Sequence, residues 1–490
     1  MINVDRELCA SKVKNVHIEK TKTKIVCTIG PATSTKHMLS RLVIAGMNVA
    51  RLNFSHGQMS DHASQIRVIR EVSRTLKVPI GILVDLPGPK IRIGKIMPDP
   101  VMLKDGSRIV LTGRHMIGDQ SIVSVSHSTV LKELEKGDLV FLEDGTVRLK
   151  VIDLKKGNAV CRVIRGGSLW SGKGVNLPDK NLALSALTSR DLALLSFALE
   201  NRVDFIGISF TMTGRDVERA KRIVRKANSQ AWIIAKVENR QAVDNFSEIV
   251  READCIMVAR GDLGVEMEVE DIPELQKTII ARSNAAGKPV ITATQMLESM
   301  VTNPTPTRAE VTDIANAIID GTDAVMLSEE TAVGKYPIEA LRVMRRVASA
   351  TERSLPYTDI LDSKRKILRT IVQDSISYSA CRVAYELGAG CIVANTRTGV
   401  TARRVSKFRS PVPIIALTDS ESVMDRLSLP WGVYPYLVKK LSTTAEIFTA
   451  AKKAAIRSGI ARKKGDRIVV VCGDPSTPRG TTDLLRVQTI

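Results

Sequence analysis

Six places along the chain end an apolar run on residues able to carry charge or pass a proton: Arg51-Leu52-Asn53-Phe54-Ser55-His56-Gly57, Asp85 with the following Gly88-Pro89-Lys90-Ile91-Arg92, Lys236-Val237-Glu238-Asn239, Arg260-Gly261-Asp262-Leu263-Gly264, Thr294, and Ser328-Glu329-Glu330-Thr331. Cations, carboxylates and hydroxyls of this kind suit phosphoryl transfer. That chemistry requires charge neutralisation on the transferring group and placement of donor and acceptor oxygens, with little covalent work by side chains. Arg51, Arg92 and Lys236 are candidates for a phosphate clamp. Glu238 and Asp262 are candidates for Mg2+, which takes one or two carboxylates and completes its shell with water and substrate oxygens. Lys236 and Glu238, two apart, face the same side if they lie on one strand. The turn from Gly261 to Gly264 offers backbone N–H groups to an anionic carboxylate at the start of a helix. No P-loop motif is present, so a different scaffold must hold any nucleotide.

Each group also has a plainer use. Lys236 can simply pair with Glu238 or Asp262, those two acids can cap adjoining helices, Asn53 and Ser55 can bond within a loop, and His56 can be an exposed loop histidine. Their joint occurrence at strand ends favours the chemical reading.

Such groups meet only if the elements carrying them share one end of a sheet. Eight short runs, 24–28, 49–53, 80–85, 204–209, 232–236, 254–259, 289–294 and 323–327, are nearly continuously apolar, as strands buried on both faces should be. The intervals between most of them have helical periodicity, for example 215–227 and 272–286. Repeated strand–helix units predict a parallel sheet, and eight of them predict a closed (β/α)8 TIM barrel, with active-site residues at the carboxyl ends of its strands. The barrel is expected over 21–89 and 185–354, after an N-terminal segment 1–20. The interruption at 90–184 has another texture: short strands at 108–111, 139–142, 147–152 and 159–164, separated by Gly-Asp, Asp-Gly and Lys-Gly turns. It reads as an all-β domain inserted in a βα-loop, where a lid belongs. From 355 to 490 a helix at 371–387 and strands at 391–394, 413–417 and 467–472 predict an open α/β domain whose Gly-rich turns suit a phosphate-bearing ligand.

Composition narrows the class. Of 490 residues 44% are hydrophobic and 25% charged, the balance of a globular protein. No apolar run is long enough to span a bilayer and the N-terminus has no signal-peptide core, so no membrane role and a cytoplasmic location are expected. The seven cysteines, Cys9, Cys27, Cys161, Cys255, Cys381, Cys391 and Cys472, form no C-x-x-C pair, which argues against disulfides and zinc. The formal charge of +20 attracts polyanions, but with 3% aromatics and no long basic block a nucleic-acid partner is not expected; anionic metabolites account for the charge more simply.

The chain closely resembles the pyruvate kinase family. The likeness runs from Thr23-Lys24-Ile25-Val26-Cys27-Thr28-Ile29-Gly30-Pro31 through Asn48-Val49-Ala50-Arg51-Leu52-Asn53-Phe54-Ser55-His56-Gly57, Ile234-Ala235-Lys236-Val237-Glu238-Asn239, Ala259-Arg260-Gly261-Asp262-Leu263-Gly264, Ala293-Thr294-Gln295-Met296-Leu297-Glu298-Ser299-Met300 and Pro306-Thr307-Arg308-Ala309-Glu310 to Gly480-Thr481-Thr482-Asp483. The resemblance implies the last step of glycolysis: transfer of the phosphoryl group of phosphoenolpyruvate to ADP, giving pyruvate and ATP, with Mg2+ or Mn2+ as cofactor. It implies that Lys236 stabilises the transferring phosphoryl group and that Glu238 and Asp262 hold the metal. The backbone at Gly261 and Asp262 and the Thr294 hydroxyl would bind the pyruvate carboxylate, Arg51 the phosphoryl group, and Asn53, His56 and Arg92 the nucleotide phosphates. Thr294 and Ser328 would relay a proton to the enolpyruvate. The family's Ser-Glu-Lys-Asp pattern stands here as Thr188-Ser189-Arg190-Asp191, so Arg190 takes the place of a nucleotide-binding lysine with a different shape and reach.

One departure concerns the monovalent cation. Asn53, Ser55, Asp85 and Leu86 match the family's K+ ligands, but where many members have Gly-Pro-Glu-Ile-Arg this chain has Gly88-Pro89-Lys90-Ile91-Arg92. An ammonium at Lys90 would supply the ion's charge, and activity without K+ is expected. Glu329 replaces a usual glycine beside Ser328. In the C-terminal region Asn395-Thr396-Arg397-Thr398-Gly399-Val400-Thr401 resembles the family's phosphate-binding loop, with Thr396, Thr398, Gly399 and Thr401 as the effector contacts, and Thr481-Thr482 resembles its terminal loop, implying a phosphorylated effector and a homotetramer. The competing readings are another metal-dependent barrel enzyme acting on phosphoenolpyruvate or pyruvate, and a non-catalytic basic binding protein.

Overall fold

The computed structural model describes residues 21–143, 145–178, 180, 185–461, 463–474 and 481–490. The N-terminal segment 1–20 with Cys9, the stretch 181–184 before the chain re-enters the barrel, and Gly480 lie outside the described residues.

Eight strands, β1 (Lys24–Thr28), β2 (Val49–Asn53), β3 (Gly81–Asp85), β4 (Phe205–Ile208), β5 (Trp232–Val237), β6 (Cys255–Ala259), β7 (Val290–Ala293) and β8 (Ala324–Leu327), close into a parallel barrel in the order β1-β8-β7-β6-β5-β4-β3-β2. Each lies on one of the eight expected runs, shifted by at most one residue. Every residue of these eight strands but Arg51 and Asn53 of β2 is buried, because helices cover the outside while side chains fill the inside. The two faces separate by parity. Ile25, Cys27, Leu52, Val84, Ile233 and Ala235 pack outward with the helices, whereas Val26, Val49, Leu83, Phe205, Ile234 and Met326 fill the interior. Continuing the interior rows two residues at a time leads to Thr28, Arg51, Asp85, Ser209, Lys236 and Ser328 at the carboxyl ends.

Between β3 and β4 lies an all-β domain with its own core of Ile109, Leu111, Val140, Leu149, Cys161 and neighbours. Its six-stranded sheet contains the four expected strands and adds Ile122–Ser124 and Val175–Asn176; Val101–Leu103 and Gly167–Leu169 form a separate pair. The C-terminal domain is a five-stranded sheet in the order Val433–Leu437, Ile414–Thr418, Cys391–Asn395, Arg467–Cys472 and Leu484–Thr489, parallel except for the last strand. It is tied to the barrel by ion pairs of low exposure: Arg409 to Asp323 at 2.9 Å, and Arg70, which joins Asp425 at 2.9 Å to Asp204 at 2.8 Å. The six described cysteines are free and buried. Among the described residues no helix is long and apolar enough to cross a membrane.

Candidate active site

Lys236 stands at the centre of the strand ends. It is 7% exposed, and its ammonium lies 2.7 Å from Glu238 Oε1, 2.8 Å from Ser209 Oγ and 3.1 Å from Asp85 Oδ1. An ammonium has three N–H donors, so these partners use its full capacity. Desolvation alone would drive the Lys236 pKa down, but Asp85 and Glu238 outweigh it and raise it, so the lysine stays charged. Asp85 also accepts two bonds from Arg51, from Nη2 at 2.6 Å and Nε at 3.0 Å, while Arg51 Nη1 donates to Thr28 Oγ1 at 2.9 Å. Burial would raise the Asp85 pKa; Lys236 and Arg51 reverse this and hold it below the ordinary carboxylate value. The neighbouring strand makes room for this contact. A Cβ on Gly207 would sit 3.1 Å from Asp85 Oδ1, tighter than a side chain normally tolerates.

Glu238, 1% exposed, also accepts a hydrogen bond from the Phe210 backbone N–H at 2.7 Å. Burial raises its pKa, Lys236 opposes this, and the negative charge of Asp262 adds to the rise. Asp262 lies in the short helix Arg260–Glu266 that follows β6, and Lys90 approaches it, Nζ to Oδ1, at 3.4 Å. Lys90 therefore sits on the Asp262 side of the pocket, while Asp85 is already held by Arg51 and Lys236. Leu86 is likewise engaged, its carbonyl accepting the Ser209 hydroxyl at 2.7 Å.

Thr294 is half-buried at the end of β7 with φ +68°. A β-branched residue in that region is strained, and such strain persists where the surroundings over-determine it. Here the Gly261 N–H donates to Thr294 Oγ1 at 2.8 Å, and two bonds from Arg260 Nη2, 2.7 Å to the Thr294 carbonyl and 3.4 Å to that of Gln295, hold the backbone. Arg260 is anchored in turn by Asp313 at 2.6 Å. Ser328 ends the next strand round. Its Oγ is buried with no partner among the described residues, and its backbone N–H donates to Glu330 Oε2 at 2.7 Å. Glu329 is exposed and begins the one-turn helix Glu329–Ala332.

The expected nucleotide residues ring this cluster more loosely. Asn53 pairs in register with Asp85 across β2 and β3, and its side chain accepts the Ser55 N–H at 3.1 Å. His56 is exposed, and its carbonyl accepts a bond from His62 Nε2 at 2.8 Å. Arg190 is exposed in the first turn of the helix Ser189–Glu200, which is capped by the reciprocal Thr188–Asp191 pair. Arg92 is exposed and turned to the inserted domain, donating to the Gly172 carbonyl at 2.9 Å. That domain reaches the barrel through Asn176 Nδ2, which donates to Glu266 Oε1 at 2.9 Å, beside a cleft lined by Lys90, Asn176, Asn239 and Glu266.

Two members of the cluster were missed in the sequence, Ser209 and Thr28. Both end barrel strands, and the strand-end rule that found Arg51 and Lys236 would have found them too had it been applied to β1 and β4.

A closed parallel barrel that gathers an ammonium, a guanidinium and several acids at the carboxyl ends of its strands defines a TIM-barrel phosphotransferase. Comparison with known proteins narrows that class. A profile described as "Pyruvate kinase, barrel domain" matches residues 20–341, and one described as "Pyruvate kinase, alpha/beta domain" matches 374–488. The chain is 43% identical to pyruvate kinase of Geobacillus stearothermophilus over 96% of its length and 81% of the relative's, and 42% identical to that of Thermococcus litoralis over 95% and 98%. A crystal structure of a pyruvate kinase from Cryptosporidium parvum superposes with TM-score 0.91 over 99% of both chains at 35% identity. The chain belongs to the pyruvate kinase family.

Proposed function

We propose that the family's reaction, transfer of the phosphoryl group of phosphoenolpyruvate to ADP with formation of pyruvate and ATP, is carried out in this chain by Lys236. In this reading Arg51 grips the phosphoryl group, the Gly261 and Asp262 backbone with the Thr294 hydroxyl takes the carboxylate, and Thr294 and Ser328 pass the proton. The observation that carries it is the fully charged Lys236 ammonium, buried among Glu238, Asp85 and Ser209 at 2.7–3.1 Å. An oxygen of the ADP β-phosphate attacks phosphorus, the bond from phosphorus to the enol oxygen breaks, and its electron pair stays on that oxygen. Lys236 and Arg51 offset the charge as it moves, in a site already arranged to do so. The enolate carbon then takes a proton through the Thr294 and Ser328 hydroxyls, the latter free of other described partners.

Family members generally need a divalent metal, and Mg2+ or Mn2+ is assigned here to Glu238 and Asp262. The donor set fits: two carboxylates from neighbouring strand ends, close enough that the charge of Asp262 raises the pKa of Glu238, a repulsion that a cation relieves. When bound, the metal neutralises phosphoryl and enolate oxygens as a Lewis acid. Asn53, His56, Arg92 and Arg190 are assigned to the nucleotide phosphates. The direct test is a coupled assay for pyruvate from phosphoenolpyruvate and ADP, with and without Mg2+. No pyruvate in the presence of Mg2+ would sink the assignment.

The same reading holds that turnover needs no K+. Asp85 is neutralised by Arg51 and Lys236, the Leu86 carbonyl is occupied by Ser209, and Lys90 adds an ammonium at the pocket. Replacing K+ by tetramethylammonium leaves the rate unchanged; a collapse refutes it. The loop carrying Thr396, Thr398, Gly399 and Thr401 is assigned to a phosphorylated effector. Supporting this, Thr396 Oγ1 accepts the Gly399 N–H at 2.9 Å and Thr401 Oγ1 meets Thr482 Oγ1 at 2.9 Å, so the loop is pre-formed. Sugar phosphates that leave the phosphoenolpyruvate dependence unmoved count against it. A cytoplasmic homotetramer is the expected assembly, checked by light scattering.

A further inference from the structure

The one-turn helix Glu329–Ala332 is pinned to the end of β1. Thr331 Oγ1 donates to the Thr28 carbonyl at 2.8 Å, Thr33 Oγ1 donates to the Thr331 carbonyl at 2.8 Å, and the Ala32 N–H donates to the Ala332 carbonyl at 3.0 Å. The packing leaves no slack: a Cβ on Gly30 would lie 2.6 Å from the Ala332 carbonyl oxygen. Glu330, 2% exposed, hangs from this fixed turn and has no ion-pair partner among the described residues. Its two oxygens instead reach two different strand ends. Oε2 accepts the Ser328 N–H at 2.7 Å, just past β8, and Oε1 accepts the Leu297 N–H at 3.0 Å, on the loop that follows β7 and begins at Thr294. Burial raises the Glu330 pKa, while the backbone N–H groups of Glu330 itself, Leu297 and Ser328 oppose the rise.

The two loops joined by this carboxylate carry both hydroxyls of the proton relay. The first loop needs outside support, since Thr294 and Gln295 are consecutive residues with φ +68° and +56°. The second carries Ser328 Oγ, which is buried without a described partner and so takes its position from its own backbone. We propose that Glu330 is a positioning residue for protonation of the enolate: it clasps the ends of β7 and β8 and fixes the Thr294 and Ser328 hydroxyls relative to each other. It acts through these two loops rather than on the substrate, and the inference rests on the reaction and relay assigned above. Each of its oxygens must accept a bond, so the clasp requires the carboxylate. An amide in its place offers one acceptor oxygen and turns an NH2 group against the second N–H.

Two measurements on the full-length chain separate the proton step from phosphoryl transfer. Exchange of the pyruvate methyl hydrogens with D2O, followed by NMR with Mg2+ and ATP, reads the first; ATP formed in the first turnover, by rapid quench, reads the second. Loss of one charge-assisted hydrogen bond is about a tenfold effect or more. In E330Q, exchange is expected to slow at least about tenfold while first-turnover ATP formation stays within about threefold of the parent, with an unchanged circular dichroism spectrum. In the double variant S328A/E330Q the added loss from E330Q is expected to be smaller than in the parent, because part of its action runs through Ser328. Exchange at the parent's rate in E330Q, equal slowing of both steps, or fully multiplicative losses in the double variant overturn the proposal. Should E330Q not fold, Glu330→Asp is read in the same way, and failure of both to fold makes the carboxylate a stability group and overturns it too. A parent chain that makes no pyruvate sinks the reaction assignment itself, whereas a working parent with unaltered exchange in E330Q sinks this inference alone.

Discussion

Replacing Lys236 by Met removes the ammonium that faces Glu238 at 2.7 Å, Ser209 at 2.8 Å and Asp85 at 3.1 Å. Asp85 keeps Arg51 at 2.6 Å, so its charge stays compensated. Glu238 keeps the Phe210 N–H at 2.7 Å but no cation contact. Breaking a buried ion pair costs about 3–5 kcal/mol. Glu238 has an escape: burial and Asp262 already raise its pKa, and without Lys236 it rises further and takes up a proton. The expected destabilisation is therefore near the lower bound, about 3 kcal/mol in alkaline buffer. A group whose folded pKa lies above its unfolded value destabilises increasingly as pH rises through the folded pKa and ceases to do so below the unfolded one. The difference in urea midpoint between Lys236→Met and the parent should therefore shrink from pH 8 to pH 6. Turnover should fall by about a thousandfold or more, as for other cations positioned on a transferring phosphoryl group. Pyruvate formation measured by a coupled assay, beside urea titrations at both pH values, gives both numbers. Less than a tenfold loss of rate in a folded variant, or a stability gap that widens at pH 6, refutes the reasoning.

Ser209→Ala removes the acceptor at 2.8 Å from Lys236; turnover is expected to fall about 10- to 100-fold, with a smaller change in KM, in steady-state kinetics. Thr294→Gly relieves the strain at φ +68° while losing the Gly261 contact, so stability in urea should change by less than about 1 kcal/mol although turnover drops at least about tenfold. Arg409→Met leaves Asp323 buried without its partner at 2.9 Å and is expected to cost about 3–5 kcal/mol by urea denaturation, with KM for phosphoenolpyruvate nearly unchanged because the pair lies at the domain junction.

The barrel was legible because each of its strands is an unbroken apolar run, a pattern forced by burial on two faces, and because polar residues follow these runs at one end. Lys236, Glu238, Asp262 and Thr294 could be named from that alone. The strands that escaped notice lack the signal. Val433–Leu437 carries Pro435 in its middle and is half exposed, and Leu484–Thr489 is an edge strand with outward Arg486. Val101–Leu103, Ile122–Ser124, Gly167–Leu169 and Val175–Asn176 are two or three residues long, too short for any period to show. Such strands exist because a partner offers hydrogen bonds at the right register, and that is a property of the neighbour.

The pairing of the charges was not readable in the same way. Residue types and spacing put ammonium, guanidinium, acids and hydroxyls at strand ends, since a period of two decides which side chains share a face. Which acid takes which cation depends on distances between strands that are far apart in the chain. Asp85 lies 151 positions from Lys236 and 34 from Arg51, yet binds both; Lys90 meets Asp262 across 172 positions and leaves Asp85 alone.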